Sequence, residues 1–195
     1  SRLTPVPADA LARDAVLREE LGAPDVRYVM TLAGKDEEQV LQASERLRPA
    51  LEELVASGAL DGYDLAARYL PSAATQQARQ QALPQAAAMQ SMLQAVVADS
   101  PFNHDAFNPF LLDVETARQA APLTRAGLQG TPLATSVEGL LLSGSDHVTA
   151  LVSLSGLQDP VAVARVAAEN GAQLLDLKEA SESLVAAYRG RVLAA

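Results

Sequence analysis

The chain has 195 residues, 49% of them hydrophobic, no Cys, and a formal net charge of −9 from 24 acidic and 15 basic side chains. That apolar share excludes global disorder, and the length suits one domain of ordinary size or one domain carrying an insertion. The missing thiols exclude a disulfide scaffold, a thiolate metal site and a Cys nucleophile. The acidic balance speaks against nucleic acid and against an anionic lipid surface as partners.

Residues 10–21 predict a short helix with Leu11, Ala15 and Arg18 on one face, stopped by Gly22 and Pro24. In the next segment Val26, Tyr28, Met30 and Leu32 alternate with Arg27, Val29 and Thr31, the pattern of a strand with one buried face. Asp36 followed by Gln39 has capping-box spacing and opens a helix. Val40, Leu47, Leu51 and Leu54 form its apolar stripe, and Ser57-Gly58 ends it through a left-handed turn. A short extended piece follows over 60–69. Residues 26–69 thus predict a strand–helix–strand unit.

From 72 to 121 the Ala- and Gln-rich sequence predicts helices and no strand. Pro84 kinks this run or opens a second helix, whose apolar face holds Met89, Leu93, Val96 and Val97. Asp99-Ser100-Pro101 stops that helix, and Asn108-Pro109 starts another. Residues 122–134 predict a linker with one short turn. Strands are expected at 137–143 and 147–153, joined by the turn Gly144-Ser145-Asp146. Asp159-Pro160 caps a helix that ends at Asn170-Gly171, and 173–177 predicts a last strand. The chain closes in a helix from about Glu179 whose apolar face holds Leu184, Tyr188 and Val192, with no stop signal before Ala195.

This order predicts an α+β fold: a ferredoxin-like split βαβ sheet of four or five strands with a helical insertion. Helices 36–57 and 159–170 should share one face. One domain is expected over 1–195, with a first half at 22–70, an insertion and linker at 71–134, and a second half at 135–195. No signal peptide or membrane span is expected. The longest uncharged stretch, 80–98, contains Pro84 and several Gln, whose side chains are costly in hydrocarbon.

Catalytic patterns are absent from the sequence. His104 and His147 have no carboxylate at helical ligand spacing, so no metal or other cofactor is expected. Ser145, Asp146 and His147 are consecutive and cannot converge as a triad. There is no Gly-x-Ser-x-Gly elbow and no phosphate-binding Gly-rich loop before a helix. Glu37-Glu38 and Glu52-Glu53 are expected on a solvated helix face. What stands out is a greasy cluster: Phe102, Phe107 and Phe110 within nine residues, with Met89 and Met92 nearby. These side chains line an apolar contact for a hydrophobic ligand between the insert and the sheet, or they form a small core that lets the insert fold against the sheet.

Several segments carry a family resemblance. The run APDVRYVM…QQALP, residues 23–84, resembles the first large extracytoplasmic segment of predicted bacterial exporters of the MMPL branch of the resistance–nodulation–division (RND) superfamily. FNPFLLDVETAR, LTRAGLQGTPLA and LLDLKEASESLVAAYR fit the same family in the same order, and the RYLPS step at 68–72 is its most telling element. The resemblance covers the chain from about residue 10 to its end. It implies a ferredoxin-like porter-type module on the periplasmic side of a proton-driven inner-membrane exporter of lipid-like or hydrophobic products. Its partners would be the membrane helices and second periplasmic domain of the same transporter chain. It also implies no catalysis here, because the family's proton-relay carboxylates lie in membrane helices outside this sequence. The alternative is a free-standing ferredoxin-like ligand-binding or regulatory domain.

Overall fold

Alternation along residues 28–34 builds the central strand. In the structure, a computed structural model that describes residues 27–98, 101 and 103–180, this is β1 (Tyr28–Gly34). Met30 and Leu32 point into the core. The predicted helix at 10–21 and the closing helix beyond 180 lie outside the described residues. Strand β2 (Gly62–Leu65) follows helix α1 (Glu37–Ala56). Strands β3 (Leu141–Ser143), β4 (Val148–Ser155) and β5 (Gln173–Asp176) come after the insert, with helix α6 (Pro160–Glu169) between the last two.

The fold is α+β with a five-stranded antiparallel sheet. Strand β4 pairs with β1 along one edge, from Tyr28 opposite Leu154 to Gly34 opposite Val148. Its other edge is shared end to end by β2, opposite Val152–Ser155, and β3, opposite Val148–Ala150. β5 pairs with the outer edge of β1. Two strand–helix–strand units therefore interleave: β4 lies between β1 and β2, and β1 lies between β4 and β5.

Both long-range helices cover the same sheet face, as the pattern predicts. Val40, Leu41, Leu47, Leu51 and Leu54 of α1 join Val163 and Ala167 of α6 in one core with Met30, Leu32, Ala150, Val152 and Leu154. The start of α1 follows the predicted cap. Asp36 Oδ1 accepts from the Gln39 amide at 2.8 Å, while Gln39 Oε1 accepts from the Lys35 amide at 2.7 Å. Gly58, at φ +75°, ends the helix. Pro49 sits on the exposed side of α1, where its ring removes one intrahelical N–H donor.

The described residues of 72–121 hold helices and no strand: α2 (Ala73–Ala82), α3 (Ala86–Val97) and α4 (Asn108–Gln119). Pro84 separates α2 from α3, with Leu83 extended before it. Among the described residues no helix is long and apolar enough to cross a membrane.

Two expectations are corrected. Residues 137–140, expected as strand, belong to helix α5 (Pro132–Leu140), so the hairpin begins at Leu141. Pro132 stands in the first helical turn, Ala134 and Val137 fall at i and i+3 on its buried side, and buried Leu141 then opens β3. An apolar run of this length cannot be assigned from hydrophobicity alone. Likewise only 62–65 of the piece at 60–69 is strand. A 3-10 turn over Ala66–Arg68 then buries Ala66, Ala67 and Leu70.

Gly156 joins β4 to α6 at φ +60°, and a Cβ there would run into the Asp61 carboxylate. Asp61 is held in place because its amide donates to Ser155 O at 3.0 Å. Gly156→Ala is expected to cost about 1–3 kcal/mol in urea unfolding through left-handed strain and that clash. Gly139→Ala, in open space on α5, should leave stability unchanged or slightly raised. Leu51→Ala, in the closed core, should cost about 2–5 kcal/mol.

Candidate functional site

The RYLPS step turns the sheet into the insert. Arg68 pairs with Asp64, Nη1 to Oδ1 at 3.4 Å, and its guanidinium lies 5.4 Å from the centroid of the Tyr63 ring. Tyr69 OH donates to Asp64 Oδ2 at 2.8 Å, and this bond raises the phenol pKa. Leu70 is buried, and the Pro71 carbonyl accepts from Gln76 Nε2 at 2.8 Å. Buried Ser72 caps α2 by accepting from the Thr75 amide at 3.1 Å. Every residue of the step therefore has a structural task.

Two carboxylates of α1 then grip the first turn of α2. Glu45 Oε1 accepts from the Ser72 amide at 2.8 Å. Its Oε2 accepts from Ser72 Oγ and Thr75 Oγ1, both at 2.7 Å. Glu38 Oε2 accepts from the Ala73 amide at 2.7 Å, and its Oε1 accepts from Ala74 at 3.1 Å and Gln42 Nε2 at 2.8 Å. Burial pushes the Glu38 carboxyl pKa up, but the bonds from Gln42, Ala73 and Ala74 outweigh it and hold the value below the ordinary one. Glu38 is thus not the solvated surface group expected from the sequence. A carboxylate on the polar side of a helix reads the same whether water or a neighbouring helix meets it.

Further out, α3 and α4 pack as a hairpin. Between them lies a small cleft of about 50 Å³, lined by Leu93, Val97, Phe107 and Leu111 together with Gln90, Gln94, Asp105 and Asn108. It is half polar, and pockets for drug-sized ligands run to roughly 300–1,000 Å³.

Of the sequence-predicted contact residues, Phe107 is half-buried in this cleft. Met89 is also half-buried, while Met92 and Phe110 are 60% and 49% exposed, and none of these three lines the cleft. Phe102 lies outside the described residues. The described members of the cluster are therefore spread over the hairpin, and of them only Phe107 lines the cleft. His147 sits in the β3–β4 turn with Nδ1 2.7 Å from Asp146 Oδ1, and both side chains are exposed. Among the described residues no three His, Asp or Glu gather as a metal site.

At the far side of the sheet, β1 begins beside the end of β5. The Leu177 amide donates to Arg27 O at 2.8 Å. Arg27 Nε and Nη2 both reach Asp176 Oδ2, at 3.0 and 2.7 Å. That guanidinium holds the Asp176 carboxyl down at about 2 against partial burial, with help from the Glu179 and Lys178 amides.

No family model, curated protein or solved structure matches this chain.

Phe107→Ala is expected to cost clearly less than the roughly 3–5 kcal/mol of a core Phe truncation, measured by urea unfolding. Asp176 has a folded-state pKa below its ordinary 3.8, so its contribution to stability is complete above pH 4. That contribution is lost as pH falls through about 2. Asp176→Asn should flatten this acid limb of the stability–pH curve. An unchanged limb would show that the Arg27 pair does not act in solution.

Proposed function

We propose that the chain is a periplasmic module of a proton-driven inner-membrane exporter, resembling the MMPL branch of the RND superfamily, and that it forms part of the path or gate for a lipid-like or hydrophobic product. The interleaved order β2-β4-β1-β5, with both helices on one face, fits a ferredoxin-like porter-type subdomain. The helical insertion between its halves fits the same reading.

One observation carries the proposal. The chain reaches the sheet and leaves it at a single point, where Arg27 meets Asp176 and Leu177. A module inserted between two membrane helices must take the chain in and return it at one place. On this reading the fragment catalyses nothing and holds no cofactor. Its contacts with product are apolar and shallow, through Phe102, Phe107, Phe110, Met89 and Met92 on the insert, because an exporter must release what it accepts. The rest of the transporter chain is its partner.

The test places alkaline phosphatase in the exposed turn at 144–147 of the full-length protein, in cells. That reporter needs its disulfides and is active only outside the cytosol. The expected result is activity in the membrane fraction. An inactive reporter, or a full-length protein recovered without membrane, overturns the proposal.

A further inference from the structure

Helix α2 is fastened at both ends of the insert, and by polar bonds in each case. Its first turn is held to α1 by Glu38 and Glu45, as described above. Its outer side holds the segment by which the insert returns. Gln76 Nε2 donates to Leu123 O at 3.0 Å, and Gln76 Oε1 accepts from the Leu123 amide at 2.7 Å. One turn later, Gln80 Nε2 donates to Ala120 O at 2.8 Å and to Ala117 O at 3.1 Å. Arg118 of α4 adds a bond from Nη1 to Leu83 O, just past the end of α2.

Gln76 and Gln80 stand at i and i+4, so both amides face the same strip of backbone. A side-chain amide that donates to and accepts from one residue's main chain fixes register as well as distance. The α3–α4 hairpin therefore leaves α2 through Pro84 and returns to it through 117–123, a loop closed on both sides.

We propose that α2 is a coupling rod that ties the α3–α4 hairpin to α1, so that the hairpin moves as one body with the sheet's helical layer. The consequence is mechanical. A displacement of α1 carries Met92 and Phe110 with it, and a force on the hairpin is passed back to α1. This holds whatever the chain transports, and its test uses no export assay.

The chain has no Cys, so paired spin labels can be placed without background. One pair joins α1 to the hairpin, at Glu53→Cys and Asp113→Cys, both exposed. A control pair joins α1 to α6, at Glu53→Cys and Arg165→Cys. In the 195-residue chain the first pair should give a single narrow distance distribution. Gln76→Ala with Gln80→Ala, and separately Glu38→Gln with Glu45→Gln, should make it broad or bimodal while the control pair stays narrow. A broad distribution in the parent chain overturns the proposal, as does an unchanged distribution in both variants. If a double variant also broadens the control pair, Gln80→Ala alone, which removes only exposed bonds, decides in the same way.

Discussion

Helix α1 does two jobs with two faces, and the arrangement of the chain depends on the second. Its apolar stripe closes the core over the sheet, which burial alone explains. Its Glu38 and Glu45 hold the insert, which burial cannot explain. Of the three helices α2, α3 and α4, α2 and α4 have no buried residue and α3 has Val97, whereas the return segment and α5 bury Leu128, Ala134 and Val137 in the core. An element with so little apolar contact has to be located by directional bonds. A carboxylate at a helix N-terminus supplies them: it meets unpaired amides and the positive end of the helix dipole together. Bonds to an ionised acceptor are about twice as strong as neutral ones, and here two carboxylates accept five from residues 72–75.

What the sequence makes legible follows the same division. Strand β1, helix α1 and helix α6 are readable because their signals are periodic and their ends carry caps: Asp36 and Gly58 for α1, Asp159 and Gly171 for α6. The helical insert is readable from its composition. Residues 137–140 are not, because Val137-Glu138-Gly139-Leu140 is compatible with either period and only packing on β3 and β4 decides it. The attachment of the insert is the least legible part. Nothing in the single sequence distinguishes Glu45, which accepts three bonds, from Glu52 or Glu53 on the same helix. The glutamines of α2 are similar. A Gln-rich helix reads as merely polar until the chain folds back beside it.

The greasy side chains gain their meaning from this attachment. Phe107 with Leu93 and Leu111 lines the seam between α3 and α4. Met92 and Phe110 remain outside that seam and meet water. A hairpin held by its own seam and by α2 can present exposed apolar side chains without relying on them for its fold.

The central claim is that the carboxylates fasten α2 to α1 and that α2 passes this hold on to the outer hairpin. Amide hydrogen exchange resolved by residue tests it most directly. The Ala73, Ala74 and Thr75 amides, and the turn that follows them, should exchange with protection close to that of α1 and well above that of α3, and Glu38→Gln with Glu45→Gln should strip that protection while leaving β1 and β4 unchanged. If α2 instead exchanges as fast as α3 in the parent chain, or keeps its protection in the variant, the carboxylates do not hold the insert and the account is wrong.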